Sequence, residues 1–346
     1  MIKDQALEQQ IGAMIIMGFQ GLKPDDPEVE VISSYLAENR LGGVILYDFN
    51  IQNSAQVKAL NSKFKQANQT CFISVDQEGG LVERLSKTKG FHGFPAAKQI
   101  AKQYTLAEAQ NIYEIMAREL QDHDFNLNFG PVSDLDDLVN PCPVIGAVDR
   151  SYSNEVDIIV AYNKAFITAH LNHSILNAIK HFPGHGLAKL DTHIELTDVT
   201  DTAKSEELEV FYKLIDQSGI DIIMTAHIVN QNLDKEKPIT LSSTALKTLL
   251  RDKGYDGIII SDDLHMGAIV KNFGFKESVI DAINAGCDML IISNNKNACK
   301  GKDFNRDIHI NLEVIKIVKN AIDEGKIDRS IVEKAYSRIM KLRAKL

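Results

Sequence analysis

The sequence has no tryptophan, only four cysteines and only eight prolines among its 346 residues. Four irregularly spaced cysteines without a C-x-x-C pair exclude a disulfide scaffold and argue against a structural zinc site. They predict reduced, mostly buried thiols. No apolar run approaches the roughly 18 residues of a membrane-spanning helix, so an integral membrane protein is also excluded.

Positive charge is scarce as well, since 38 Lys and Arg face 47 Asp and Glu for a net charge of −9. Surfaces for nucleic acid or anionic membranes need clustered Lys and Arg, so neither partner is expected. The first 20 residues mix charged and apolar side chains, which predicts no secretory leader and a cytoplasmic protein. No linker-like stretch interrupts the chain, so we expect a single domain over 1–346. Among the possible oligomeric states, we favour a monomer.

Short apolar runs alternate with longer amphipathic stretches along the whole chain. Eight of these runs are continuous, as in strands that are covered on both faces. The predicted strands are 15–19, 43–47, 71–75, 127–132, 178–181, 222–224, 257–260 and 289–292. The stretches between them predict helices, with Asp26 as the N-cap of one and a Thr105–Glu108 capping box opening another. Eight strand–helix units predict a (β/α)8 barrel of the TIM type, and a doubly wound open sheet is the alternative.

Ionisable residues stand at or just beyond the carboxyl ends of four of the predicted strands. These strands run into Asp76, into Lys180 and His181, into His227, and into Asp262. A single one of these residues would be explained by a helix cap or a core histidine. Because parallel barrels assemble their active sites at this edge, four together predict a catalytic site.

The loop after His181 contains Pro183, Gly184 and Gly186, which predict a shaped turn instead of a helix start. Its far end reads Asp191-Thr192-His193. In an extended segment, side chains at i and i+2 project to the same side. Asp191 would then fix the tautomer of His193 and stabilise its charged form, a pairing used in general acid–base catalysis.

These motifs together resemble glycoside hydrolase family 3, in its branch of β-N-acetylhexosaminidases. The most specific string is KHFPGHG at 180–186, followed by DTH at 191–193. DQEGG at 76–80 with Arg84, NP at 140–141, DRSY at 149–152, MTAH at 224–227, SDDL at 261–264 and INAGCDMLIIS at 283–293 follow in the family's order. The resemblance runs from about residue 8 to 342. Leu81 and Leu187 depart from the usual residues, and neither carries predicted chemistry.

The resemblance implies retaining hydrolysis of a terminal β-linked N-acetylglucosamine, with a small glycan as partner and with no metal or cofactor. It makes Asp262 the nucleophile and His193 the proton donor and acceptor, with Asp191 as its partner. The residues that match the family's sugar-binding positions are Asp76, Arg84, Arg150, Lys180 and His181. We expect the cations among them to keep the pKa of Asp262 low.

Several alternatives remain at this point. Within the family, phosphorolysis or β-glucosidase activity is possible, and Glu78 or Asp263 could replace Asp262 as nucleophile. A zinc amidohydrolase would use His181, Lys180, His227 and Asp262, and a non-catalytic sugar-binding barrel would use none of them for chemistry. The acidic run at 134–137 predicts a turn with solvated charges. The lack of tryptophan favours small substrates, either cell-wall muropeptide fragments or chitin oligosaccharides.

Overall fold

The computed structural model describes residues 2–192, 194–296 and 305–346. Its strands are β1 (Ile15–Gly18), β2 (Gly43–Leu46), β3 (Phe72–Val75), β4 (Gln77–Gly79), β5 (Val82–Glu83), β6 (Leu127–Asn128), β7 (Leu176–Phe182), β8 (Thr197–Asp198), β9 (Ile222–Thr225), β10 (Ile228–Val229), β11 (Ile258–Asp263) and β12 (Met289–Ile292). Eight parallel strands, β1, β2, β3, β6, β7, β9, β11 and β12, follow one another around a closed barrel. Ile16 on β1 pairs with Ile291 on β12 and closes it. The predicted (β/α)8 barrel is confirmed, and the open sheet is wrong.

The barrel strands form where the sequence has uninterrupted apolar runs, and every residue of β12 is buried. The largest error in a predicted boundary concerns β6, which ends at Asn128 instead of residue 132. Gly130 and Pro131 interrupt the ladder there, because proline has no N–H to donate. Val132 rejoins the sheet only through an isolated bridge to Lys180.

The helices lie between the strands and cover the outside of the barrel. They are α1 (Ile2–Ala13), α2 (Pro27–Ala37), α3 (Ser54–Ala67), α4 (Ala97–Gln103), α5 (Leu106–Asp122), α6 (Val156–Asn172), α7 (Ser205–Ser218), α8 (Ser243–Leu249), α9 (Gly267–Phe273), α10 (Phe275–Ala285), α11 (Ile310–Asp323) and α12 (Arg329–Arg343). None of the helices in the described ranges is both long enough and apolar enough to cross a bilayer.

Of the two capping signals predicted for these helices, one forms and one does not. Thr105 and Glu108 form the predicted capping box of α5. Asp26 stands at the N-cap position of α2, but its side chain does not cap the helix. Its carboxylate instead accepts the N–H groups of Leu22 and Lys23, at 2.7 and 2.9 Å, because the preceding turn presents both to it.

The cysteines follow their prediction where they are described. Cys71, Cys142 and Cys287 are free and buried, and Cys299 lies outside the described residues. Burial raises the pKa of the Cys71 thiol to about 12, so that it stays protonated and unreactive.

Candidate active site

A cavity of about 360 Å³ opens at the carboxyl edge of the barrel strands. Six of the eight predicted site residues line it: Asp76, Arg84, Arg150, Lys180, His181 and Asp262. They come from four separate parts of the chain, and the barrel topology brings them together because its parallel strands all end at this edge.

Five charged residues form a connected group at this cavity, and we call them the floor network: Asp76, Glu78, Arg84, Arg150 and Lys180. All of them except the buried Glu78 line the cavity. Nζ of Lys180 lies 2.9 Å from Asp76 and 2.6 Å from Glu78. Nε and one terminal nitrogen of Arg150 each donate to Glu78 at 2.8 Å, which is a bidentate contact. Arg84 lies 3.6 Å from Asp76. Opposite charges therefore compensate one another in this network.

The charge state of Glu78 follows from these contacts. Burial alone would raise the pKa of its carboxyl, but Arg150 and Lys180 outweigh burial and hold that pKa well below its usual range. Although burial opposes it, the carboxylates of Asp76 and Glu78 raise the pKa of Lys180. That the cations of this network also keep the pKa of Asp262 low stays a prediction.

The two carboxyls at the end of β11 have different surroundings. Asp262 is half-buried in the cavity wall, and its Oδ1 accepts the N–H of Asp263 at 2.7 Å. Asp263 is buried, and its Oδ1 accepts the N–H groups of His265 and Ser293 at 3.0 and 2.8 Å. Burial, with a smaller contribution from Asp262, raises the pKa of Asp263 to about 6. Asp263 thus holds the loop after β11, and Asp262 is the more accessible carboxylate.

The acidic run at 134–137 is not the solvated turn that was predicted. Asp134 and Asp136 are buried, and the prediction is wrong for both. Asp136 makes an ion pair with Lys98 at 2.7 Å. Asp134 lies 2.7 Å from Nδ1 of His181 and accepts the N–H groups of His181 and His185. The run is buried because it packs beneath the loop after β7, where these donors satisfy the Asp134 carboxylate.

A second buried carboxyl supports the same loop. Glu207 on α7 accepts the N–H of Leu187 at 3.3 Å. Gly184 has φ +135°, and a Cβ there would lie 2.4 Å from Cβ of Glu207, so the backbone passes directly over this side chain. Burial, with a smaller contribution from Asp134, raises the pKa of Glu207 to about 8. Glu207 is therefore mostly protonated at neutral pH.

The loop continues to Asp191 and differs there from the extended geometry that was predicted. The carbonyl of Asp191 accepts the N–H groups of Ile194 and Glu195 at 2.9 and 3.1 Å, so this part is a hydrogen-bonded turn. The premise of an extended segment is wrong. His193 lies outside the described residues, and its pairing with Asp191 stays a prediction.

Sequence reasoning missed an aromatic pair in the cavity wall. The rings of Tyr47 and Phe49 stack with their centroids 5.7 Å apart, and both residues line the cavity. They directly follow β2, so the rule that located the charged residues would have found them if aromatic side chains had been included. Aromatic faces are common binding surfaces for sugar rings.

The residues of the zinc alternative make other contacts. Lys180 pairs with two carboxylates, Nδ1 of His181 with Asp134, and Nε2 of His227 donates to the carbonyl of Asp263 at 2.9 Å. Within the described residues, no group of three or more His, Cys, Asp or Glu is placed to hold a metal ion. The arrangement differs from that of an amidohydrolase metal set.

Comparison with known proteins gives a consistent result. The profile of the glycosyl hydrolase family 3 N-terminal domain matches residues 6–342. A protein named Beta-hexosaminidase from Tolumonas auensis is 36% identical over 291 residues, 82% of this chain and 83% of the relative. A Beta-hexosaminidase from Haemophilus influenzae is 34% identical over 294 residues, 82% of this chain and 80% of the relative.

A solved structure with the same fold is a glycoside hydrolase family 3 β-N-acetylglucosaminidase from Paenibacillus sp.. It superposes with a TM-score of 0.86 at 28% sequence identity. The match covers 98% of this chain but only 62% of the Paenibacillus chain, so the present chain corresponds to part of that longer protein.

Proposed function

The chain belongs to glycoside hydrolase family 3 and is a glycoside hydrolase, and from this premise we propose that it releases terminal β-linked N-acetylglucosamine from small glycans with net retention. The names of its relatives support this sugar specificity. The observation that carries the proposal is that Asp262 shares one cavity with four members of the floor network, Asp76, Arg84, Arg150 and Lys180. At about 360 Å³, the cavity is near the lower end of ligand pockets, which favours one terminal sugar ring and exo action.

In the proposed mechanism Asp262 attacks the anomeric carbon and forms a glycosyl ester. The bond from that carbon to the aglycone oxygen breaks, and His193, oriented by Asp191, gives its proton to this oxygen. His193 then deprotonates a water molecule, which attacks the anomeric carbon and releases Asp262. An imidazole suits both steps because its ordinary pKa is about 6.5.

The contacts of the rival carboxyls support Asp262 as nucleophile. Glu78 is engaged by Arg150 and Lys180, and Asp263 by two backbone N–H groups. Using Glu78 as nucleophile would break hydrogen bonds that hold the site together, and Asp263 is more deeply buried than Asp262. In the same proposal Asp76, Arg84, Arg150, Lys180 and His181 bind the hydroxyl and acetamido groups of the sugar, and its ring lies near Tyr47 and Phe49.

The wider role follows from the same chemistry. We propose that residues 1–346 act as one monomeric catalytic barrel in the cytoplasm. Its substrates would be fragments from cell-wall recycling or chitooligosaccharide breakdown. Their aglycones are unactivated sugars, whose departure requires the proton that His193 supplies.

The test is the Asp262→Ala variant with aryl β-N-acetylglucosaminides as substrates. Loss of the covalent nucleophile should lower kcat/KM by at least about 10³-fold, and added azide should restore turnover and yield a glycosyl azide. Asp48→Asn is the matched control, because Asp48 lines the same cavity but its side chain is 68% exposed. Near-normal turnover by Asp262→Ala would refute the assignment.

Two further measurements separate the alternatives within the family. The wild-type enzyme should prefer aryl N-acetylglucosaminides to the matched aryl glucosides, whereas a β-glucosidase would show the reverse. The product formed in phosphate buffer should be free N-acetylglucosamine. A sugar 1-phosphate formed in proportion to phosphate concentration would instead establish phosphorolysis.

A further inference from the structure

Thr192 is buried, whereas the residues two positions before and after it are exposed. It is 3% exposed, whereas Leu190 and Ile194 on either side are 47% and 45% exposed. Its hydroxyl oxygen lies 3.3 Å from Nε2 of His185, which is also buried. The middle residue of the Asp191-Thr192-His193 motif is thus directed into the protein and towards an imidazole.

The imidazole of His185 is itself held firmly. The backbone N–H of His185 donates to the buried Asp134 carboxylate at 2.8 Å, and ring Nδ1 lies 3.7 Å from Sγ of Cys142. Burial, with a smaller contribution from His181, lowers the pKa of His185 to about 4. The ring is therefore neutral at the pH of catalysis and offers one donor and one acceptor. It is a fixed point of attachment and not a titrating group in this range.

The outer side of the same turn is tied to a different element. Nζ of Lys271 on α9 donates to the carbonyl of Ile194 at 3.1 Å. This helix follows β11, the strand that ends in Asp262 and Asp263. The turn is thus attached on its buried side to the loop after β7 and on its exposed side to the element that follows the proposed nucleophile.

We propose that Thr192 is a positioning residue, whose hydrogen bond to His185 fixes the turn that carries Asp191 and His193 at the distance needed for proton transfer to the departing oxygen. This inference rests on the proposed function, because it assigns Thr192 a role in acid–base catalysis by its neighbour. Proton transfer requires approach to about 3 Å, and a small displacement of the donor slows it severely. The alternative is that the hydrogen bond of the buried Thr192 hydroxyl contributes to stability and has no role in catalysis.

The experiment compares Thr192→Val, which keeps the shape but removes the hydroxyl, with Thr192→Ser, which keeps the hydroxyl. We expect Thr192→Val to lower kcat/KM about tenfold, the value of one hydrogen bond, on a disaccharide whose leaving group needs protonation. On the 2,4-dinitrophenyl glycoside, which needs no proton, kcat/KM should change less than about twofold. Thr192→Ser should restore most of the loss. The comparison uses kcat/KM because this quantity reports the step in which the glycosidic bond breaks.

Equal losses on both substrates, or no rescue by serine, would overturn the positioning role, as would unchanged activity of Thr192→Val. Thermal midpoints of both variants are measured in parallel, and a loss of activity explained by unfolding would affect both substrates alike. His193→Ala is run beside them. If His193→Ala shows no dependence on the leaving group, the proposed acid–base function fails. If the loss in His193→Ala depends on the leaving group and the loss in Thr192→Val does not, only the role of Thr192 fails.

Discussion

Glu78 and Glu207 are both buried near the site, yet their pKa values shift in opposite directions. Glu78 in the floor network contacts Arg150 and Lys180, and its pKa falls well below the usual range. Glu207 beneath the loop after β7 accepts backbone N–H groups and lies near Asp134, and its pKa rises to about 8. Burial acts on both in the same direction. The difference shows that the partners decide whether a buried carboxyl is charged.

This contrast matches the different tasks of the two regions. In the proposed function the floor network presents a fixed arrangement of charges to a polar sugar, and Arg150 and Lys180 keep Glu78 ionised within it. The loop after β7 carries the proposed acid–base pair, and Glu207 supports it through backbone hydrogen bonds. Because Glu207 is protonated, it supports this loop without placing another negative charge beside Asp134.

The strongest test of the contrast is Glu78→Gln, which removes the anion between two buried cations. Leaving Arg150 and Lys180 without it should cost about 3–5 kcal/mol in the free energy of unfolding. Denaturant unfolding at pH 7 measures this loss. As a control, Asp48→Asn removes one partner of the exposed Asp48–Lys89 pair and should cost less than about 1 kcal/mol. Equal effects of the two substitutions would contradict the role of the floor network.

Glu207→Gln should have an intermediate effect that depends on pH. The folded pKa of Glu207 is raised, so its contribution to stability is complete below the unfolded pKa and is lost as pH rises towards about 8. Between pH 6 and 8 the free energy of unfolding of the wild type should therefore fall by about 2–3 kcal/mol relative to that of Glu207→Gln, which stays neutral. Unfolding measured at both pH values tests this. As a control, Glu206→Gln at the exposed neighbouring position should show the same pH dependence of unfolding as the wild type. If the free energy of unfolding of Glu207→Gln changed with pH in parallel with that of the wild type, this would be evidence against a protonated Glu207.

Of the three substitutions, Asp134→Asn should change the free energy of unfolding least. Although burial opposes it, His181 lowers the pKa of Asp134, and the variant loses the charge that accepts from this imidazole. The expected cost at pH 7 is about 2 kcal/mol, as for a hydrogen bond to a charged group. Because the folded pKa is lowered, this contribution exists above the unfolded pKa and disappears as pH falls below about 4. A difference between variant and wild type that stays constant into acid would contradict the assignment.

Much of the charged site was predictable, and particular residues show why. Asp76 directly follows β3, whereas Lys180, His181 and Asp262 lie near the carboxyl ends of β7 and β11, after the apolar part of each strand. Parallel strands bring these carboxyl ends together. Asp134 was mistaken for a solvated turn because its burial depends on donors from His181 and His185, nearly fifty positions along the chain. Glu207 gave no signal, since one glutamate in the first turn of an amphipathic helix is ordinary.

Sequence reasoning was enough to predict the barrel, the edge at which the site forms and most of the charged residues that line the cavity. The barrel and its edge follow from hydrophobic continuity, capping and chain order, which are local properties of the chain. Arg84 and Arg150 were predicted from the family resemblance. The folded arrangement was needed to learn which buried carboxyls are ionised, which of them support the loop after β7, and that Thr192 points inward to His185. The reason is that a pKa and a hydrogen bond depend on partners within a few ångströms, and here those partners come from distant parts of the chain.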